Sequence, residues 1–416
     1  MAADEDELIA EPFGPLNGVR ILSTGTLIAE PFAASLAAEM GAEVIQVERP
    51  GIGDRGWRHF GPMLEGRDGH PPVSAVWAQE RRNVFAITLD MSKPRGRDLF
   101  LKLAARAELW MENSKAGTYE KWGLDDQTVL AMNPRLVITH ISGFGQTGDP
   151  AYSGLPSYDS IGQAFGGLMH MTGFPDPMPP TRAAPWLGDY ITALFALWSS
   201  LAGVISARAT GRGQSIDVAQ YESLHRMLGS TMIDYFRRGA VVERSGNKAA
   251  EFQPGDTFKC KDGWIVIAVL AGPPYDALLR LIDLDPADQR WQRARTAVKS
   301  PDGLELDRRL RNWTAARTTS EAIAVFAARK IPSSTILSAA EMAAHPHYQA
   351  REMHVEWEDI AAGPVKGIGI VPKFSRTPGR IVRGAPPIGY DNERVYRELL
   401  GIDERELDAL AQEQII

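Results

Sequence analysis

The stretch "GVRILSTGTLIAEPFAASLAAEMGAEVIQVERPG" (18–51) decides the fold. It opens with a β-rich run, "GVRILSTG" (18–25), that ends in turn residues. "PFAASLAAEMG" (31–41) has helical composition and a glycine stop. "AEVIQVERPG" (42–51) is a second strand. Strand, helix and strand within about 30 residues form a βαβ unit, so the two strands are parallel. The pattern continues through "GRDLFLKLAARA" (96–107, helical), "ELWMEN" (108–113, strand) and "RLVITHISGFG" (135–145, strand). These elements predict an α/β fold built on a Rossmann-like, doubly wound parallel sheet.

A dinucleotide site is not expected, although Glu48 ends the second strand as a ribose-binding acid would. "STGTLIAE" lacks the G-x-G-x-x-G phosphate cradle. "GFGQTGDP" (143–150) does not follow the P-loop pattern, and no G-x-S-x-G elbow is present.

Further along, one long helix is expected from Asp189 to "TGRGQ" (210–214), closed by a glycine cap. "SIDVA" is a short strand and 221–239 a second helix. "DTFKCKDGWIVIAVLA" (256–271) reads as a hairpin with a D-G turn. Mixed helical segments run to about 340. The following tail is rich in Gly and Pro to about 390 and then helical. The expected organisation is a large α/β domain over 1–225, a smaller α+β domain over 226–344, and a return to the large domain over 345–416.

Composition narrows the function classes. The 416 residues are 44% hydrophobic and 23% charged, with a net charge of −7. No concentrated basic surface is offered to nucleic acid or membrane. The single cysteine, Cys260, excludes an internal disulfide and a zinc cluster, and reads as a buried thiol. "HPHY" around His345 and His347 reads as a surface loop, and His170 as structural. The start "MAADEDELIAEPFG" lacks the features of a signal peptide. The apolar run Tyr190 to Ile205 falls short of a membrane span. The protein is expected to be cytoplasmic.

The sharpest candidate for chemistry is Asp189 in "PWLGDYITALF". On its own it reads first as an N-cap, because Asp accepts bonds from the free N–H groups of a helix start. The same place favours a carboxylate through the helix dipole, and an ionised, partly desolvated carboxylate is a competent nucleophile. Gly188 before it suggests close approach of a ligand to the backbone.

The segments 13–51, "ITLDMSKPRGRDLFLKLAARAELWMENSKAG", "NPRLVITHISGFGQTGDPAYSGLPSYDSIGQAFGGLMHMTG", "GDYITALFALWSSLAGVISARATGRGQSIDVAQYESL" and "GIVPKFSRTPG" resemble the class III CoA-transferases, the CaiB/BaiF family. The resemblance spans nearly the whole chain. It implies that Asp189 is the catalytic nucleophile of an acyl-CoA:carboxylate CoA-transferase. It implies an aspartyl anhydride, then an aspartyl–CoA thioester, and no metal or redox cofactor. Coenzyme A and its acyl thioesters are then substrates. Backbone N–H groups near "SGFGQTG" and the helix start are the expected oxyanion donors.

The same resemblance implies that Arg49, Lys115 and Lys121 meet CoA, and that Thr26, Ile28 and Ala29 line the pantetheine path. At Ile28 the contact is expected through the backbone. Where relatives often carry Arg, this chain has Lys121, and Trp122 stands where a further Arg is found, so the phosphate clamp differs. Several segments are similar to the carnitine branch, whose acids carry a trimethylammonium group. Trp186 and Tyr158 are then the candidate substrate contacts, an aromatic face attracting a cation by about 0.5–2 kcal/mol. "GNKAAEFQPGDTF" has no counterpart of the glycine-rich lid of formyl-CoA transferases. An α-methylacyl-CoA racemase is the alternative on the same fold, but Tyr158 stands where its His would. A transferase for another small carboxylate and a non-catalytic CoA-binding protein are the remaining alternatives. The family further implies an interlocked homodimer, with the Pro/Gly-rich segment 363–390 as a long linker.

Overall fold

A computed structural model describes residues 8–416. The acidic start of the chain lies mostly outside those residues. The described chain divides into two compact units. The larger holds residues to 168, 183–229 and 349–416, and the smaller holds 169–182 and 230–348.

The larger unit is built on six parallel strands: β1 Arg20–Ser23, β2 Glu43–Glu48, β3 Phe85–Thr88, β4 Leu109–Glu112, β5 Val137–Ser142 and β6 Gln214–Ala219. Their order is β3-β2-β1-β4-β5-β6. All five pairings are parallel. The chain winds outward from β1 in both directions, so the order reverses between β1 and β4. Loops at the C-terminal ends of those two strands diverge there and leave a crevice, the usual ligand site of such sheets.

Alternation along the strands separates two cores. Ile21, Val44, Leu109 and Val137 face one side with the alanines of helix α1, Ala29–Glu39. Leu22, Ile45, Trp110 and Ile138 face the other, with Leu99, Phe100 and Leu103 of helix α2, Pro94–Ala104. Val395, Tyr396 and Leu399 of the returning chain join this second core.

Helix α3, Asp126–Met132, precedes β5, and helix α4, Asp159–Phe165, follows it. Helix α5 runs Leu187–Thr210 and ends at Gly211, whose positive φ of 74° and N–H to the Ala207 carbonyl close the last turn. It is longer than the apolar run read from the sequence. By length and composition it suffices to cross a membrane, the one such helix among the described residues. In the fold it lies against α1, β5 and β6. Gly188, Thr192, Ala193, Ala196, Ser200, Gly203, Val204 and Ala207 form its buried face. These small residues meet the alanine face of α1, and two small faces allow close helix packing.

The expected helix over 221–239 is two helices. Gln220–Arg226 (α6) belongs to the larger unit, and Thr231–Arg238 (α7) to the smaller. The break falls at Gly229, with φ of 61°. The tail also holds an antiparallel hairpin, His354–Asp359 with Gly363–Ile368, that its Gly/Pro content concealed.

The smaller unit carries the expected hairpin, Gly255–Lys259 paired with Trp264–Ala268, and a third short strand, Ser333–Thr335. Cys260 is buried beside Phe258, Ile265 and Ile267. His170 is exposed rather than packed among apolar residues. His347 lies in a short helix, Pro346–Ala350, not a loop.

Candidate active site

Asp189 is the third residue of α5, and it does not cap that helix. The cap position is Trp186, which has no capping side chain. Asp159, the first residue of α4, accepts at Oδ1 from the N–H of Gly188 at 2.8 Å and of Asp189 at 3.4 Å. Gln163, one turn on, donates to Asp159 Oδ2 at 2.9 Å and holds the cap in place. Gly188 is needed for this approach. A Cβ there would sit 3.0 Å from Asp159 Oδ1 and 3.2 Å from Gln163 Cγ. The glycine makes room for the capping side chain rather than for a ligand.

With the capping bonds supplied by Asp159, the Asp189 carboxylate is free to face a cavity. One oxygen, Oδ1, accepts from Gln220 Nε2 at 2.5 Å. Burial pushes the Asp189 carboxyl up to about 7, with the nearby Asp159 charge adding to the rise and the Gln220 bond opposing it. The helix dipole anticipated from the sequence is outweighed. Asp189 therefore titrates near neutrality, which suits a group that must ionise to attack and leave neutral intermediates behind.

The cavity is about 630 Å³. Thr26, Ile28, Ala29, Lys115, Tyr158, Trp186 and Asp189 all line it. Of the candidate residues, exposed Arg49 and Lys121 stand outside its lining. Arg49 follows β2, at the same edge of the sheet. Lys121 lies in a short 3-10 turn, Glu120–Trp122. Glu48, weighed as a ribose acid, is instead paired with Arg58 at 2.5 Å.

The floor of the cavity is the crevice where strand order reverses. Asn113 after β4 and Thr26 after β1 exchange two hydrogen bonds across it: Thr26 N–H to Asn113 Oδ1 at 2.9 Å, and Asn113 Nδ2 to the Thr26 carbonyl at 2.7 Å. The next residue, Leu27, has φ of 67°, a left-handed conformation unusual for a branched side chain. Asp54 accepts from its N–H at 3.1 Å and holds it there. Ile28 then starts α1 without a side-chain cap. Beneath Asn113, His140 lies between Glu112 and Asp126, at 2.7 and 2.9 Å. These two carboxylates push His140 up to about 10, so it stays charged and pins β4 to β5 and α3.

Trp186 has both aspects considered from the sequence. It lines the cavity and packs against the core cluster of Ile28, Trp57 and Trp77. Tyr158 is 64% exposed, just before the capping Asp159. At both expected oxyanion donor sites, N–H groups are engaged internally. The Gly145 N–H goes to Ser142 Oγ and the Gln146 N–H to Asp217 Oδ2. The α5 start is taken by Asp159.

Sequence reasoning did not single out Gln220, Asn113 or Asp159. Asn113 and Gln220 sit inside quoted motifs, "ENSKAG" and "VAQYE". Nothing local marks their partners, which lie 87 and 31 residues away.

A crevice at the strand-order reversal, lined by a near-neutral carboxyl at a helix start, has the chemistry that covalent acyl exchange uses. The comparisons agree. The CoA-transferase family III description matches residues 16–392, and the chain belongs to that family. It is 37% identical over 414 residues to bile acid CoA-transferase BaiK of Clostridium scindens, covering 97% of this chain and 90% of that protein. It is 34% identical over 400 residues to L-carnitine CoA-transferase of Proteus mirabilis, covering 94% of each. A CAIB/BAIF family protein from Brucella suis superposes with a TM-score of 0.80 at 27% identity, covering 93% of this chain and all of that one. The resemblance read from the sequence holds, and the protein is a CoA-transferase.

Proposed function

We propose that the enzyme moves CoA between an acyl-CoA donor and a free carboxylic acid, with Asp189 as nucleophile. The observation that carries this is a carboxyl pushed to about 7 at the wall of a cavity, with one oxygen tied by Gln220. Ionised Asp189 attacks the thioester carbon and forms a mixed anhydride as CoA thiolate leaves. The thiolate then adds to the aspartyl carbonyl and gives an aspartyl–CoA thioester as the donor acid departs. The acceptor acid runs the same steps in reverse. Two exchanges replace one difficult transfer. Thr26, Ile28 and Ala29 form the path of the pantetheine arm, and Lys115 faces the CoA phosphates. Arg49 and Lys121, outside the cavity, meet the nucleotide end.

For the acid, the reading is the carnitine type. Tyr158 and Trp186 offer aromatic faces to a trimethylammonium group, and the L-carnitine enzyme is a relative. A second reading, a bulky apolar acid, is favoured by the apolar lining from Leu27, Ile28, Phe60 and Leu155. It is also favoured by the bile acid enzyme among the relatives. The proposal further takes the enzyme to be cytoplasmic and an interlocked homodimer. The exposed stripe Leu194, Trp198 and Ile205 on α5 supports a partner surface.

The test is a panel of acyl-CoA donors against betaines, bile acids and simple carboxylic acids, read by CoA exchange. Turnover of betaines and not bile acids supports the carnitine type. The reverse result selects the bulky apolar acid. Exchange by Asp189→Asn equal to wild type would overturn the mechanism.

A further inference from the structure

The mechanism leaves one need unmet. An oxyanion forms twice, once on the acyl carbon and once on the aspartyl carbon, and each requires donors placed in advance. The N–H groups of Gly145, Gln146, Gly188 and Asp189 are all committed elsewhere. Gln220 is not committed in that way.

Gln220 is the first residue of α6 and is buried, 5% exposed. Its Nε2 donates to Asp189 Oδ1 at 2.5 Å. Its Oε1 accepts from Ser157 Oγ at 3.1 Å. An ionised carboxylate can only accept, so the amide nitrogen faces Asp189 and the amide oxygen is left to accept from the Ser157 hydroxyl. Gly162 of α4 supplies the space. A Cβ there would lie 2.3 Å from Gln220 Oε1 and 2.5 Å from its Cδ.

We propose that Gln220 is a catalytic residue: its amide holds Oδ1 of Asp189, leaves Oδ2 to attack, and then receives the negative charge that develops on Oδ1. The inference rests on Asp189 being the nucleophile. In the first exchange Oδ2 bonds to the acyl carbon, the carbon–sulfur bond breaks, and thiolate leaves. The anhydride retains Oδ1 as its aspartyl carbonyl oxygen. In the second, the thiolate sulfur bonds to Cγ and the Cγ–Oδ1 π pair moves onto Oδ1, beside Gln220 Nε2. Collapse breaks Cγ–Oδ2, and the donor acid leaves with Oδ2. No proton is transferred in either step. The donor thus acts on the atom where charge forms, and its bond tightens as the reaction proceeds.

The test compares Gln220→Leu, Gln220→Glu and Ser157→Ala with wild type. Acyl-CoA affinity and the unfolding midpoint serve as controls. Loss of one such donor lowers kcat by roughly 10²–10³-fold. Gln220→Leu is expected to show that loss with acyl-CoA affinity unchanged, and an acid limb moved to higher pH. The charged group facing Asp189 is Asp159, which all three variants retain, and the neighbouring Tyr190 phenol, pushed up to about 12, stays neutral. Gln220→Glu donates only while its carboxyl keeps a proton. Asp189 must still be ionised, so the activity of this variant is expected to pass through a maximum and fall again on the alkaline side, where wild type keeps its rate. Ser157→Ala frees the amide without removing it and is expected to lose up to about tenfold, the effect of one neutral hydrogen bond. Gln220→Leu within about threefold of wild type with an unchanged pH profile overturns the inference. If Gln220→Leu does not fold, a Gln220→Glu profile parallel to wild type does so. Asp189→Asn separates the two levels. Retained exchange in that variant removes the underlying reading, whereas its loss beside a normal Gln220→Leu removes the inference alone.

Discussion

Replacing Asp189 with Asn is expected to stabilise the enzyme, and by an amount that grows with pH. In the folded state the carboxyl is raised from 3.8 to about 7, chiefly by burial. An acid whose folded pKa lies above its unfolded value costs stability wherever the folded state must ionise it. The cost is absent below about 3.8, grows between 3.8 and 7, and is constant above. At 1.36 kcal/mol per unit the full cost is about 4 kcal/mol. It is an upper bound, since water enters the cavity the carboxyl faces. Linkage gives about 1.5 kcal/mol at pH 5 and about 4 kcal/mol at pH 8. Asn preserves size and can still accept from Gln220, so the substitution changes mainly the charge. Equilibrium urea unfolding of both proteins at pH 5 and pH 8 measures the two gains. A gain equal at both pH values, or a loss at pH 8, would refute the assignment of a buried, charge-disfavoured carboxyl. The same cost is consistent with a site kept for function at the expense of stability.

Four other outcomes follow from the same geometry. The rate of exchange should fall on the acid side, to about a tenth at pH 6, because an acid with pKa about 7 is then about one-tenth ionised. Asp159→Asn should move that limb to lower pH while Asn keeps the cap, and a pH–kcat/KM profile reads both. Gly162→Ala should displace Gln220, since its Cβ would fall 2.3 Å from the amide oxygen. A loss of about tenfold or more in kcat with unchanged acyl-CoA affinity is expected, in the range of a lost donor. Asn113→Ala removes both bonds to Thr26. At about 1 kcal/mol for each hydrogen bond, KM for acyl-CoA should rise by up to about thirtyfold with kcat little changed, measured by initial rates.

What the sequence revealed depended on how far apart the interacting residues lie. The 18–51 stretch was legible because strand, helix and strand each carry their own periodicity and stops. The order of the strands follows from such units, and so does the crevice at β1 and β4. Gly211 likewise announced the end of α5. The break at Gly229 was hidden, because the apolar and charged residues on either side continue a helical pattern that the glycine interrupts. The hairpin at 354–368 was hidden by its own glycines and prolines.

The role of Asp189 shows why a local rule can place a residue and still misassign it. An acid at a helix start is expected to cap it, and nothing within α5 says otherwise. The cap comes from Asp159, 30 residues earlier, through a glycine that lets it in. Separating the two duties has a chemical consequence. A carboxylate that accepted the N–H groups of α5 would have its charge stabilised and its pKa lowered, and would be a weaker nucleophile. Asp159 takes those bonds and adds its own field, so Asp189 is raised toward neutrality and left with a single donor. Asp159→Ala should therefore do two opposing things. It should unsettle the α5 start by about 1 kcal/mol, as cap loss does, and it should lower the Asp189 pKa by removing the neighbouring charge. Asp159→Asn removes the charge and keeps the cap. If both variants move the acid limb equally and only Ala lowers the unfolding midpoint, capping and tuning are separate functions of Asp159. If Asn leaves the acid limb in place, its charge does not govern Asp189 and burial alone sets the pKa.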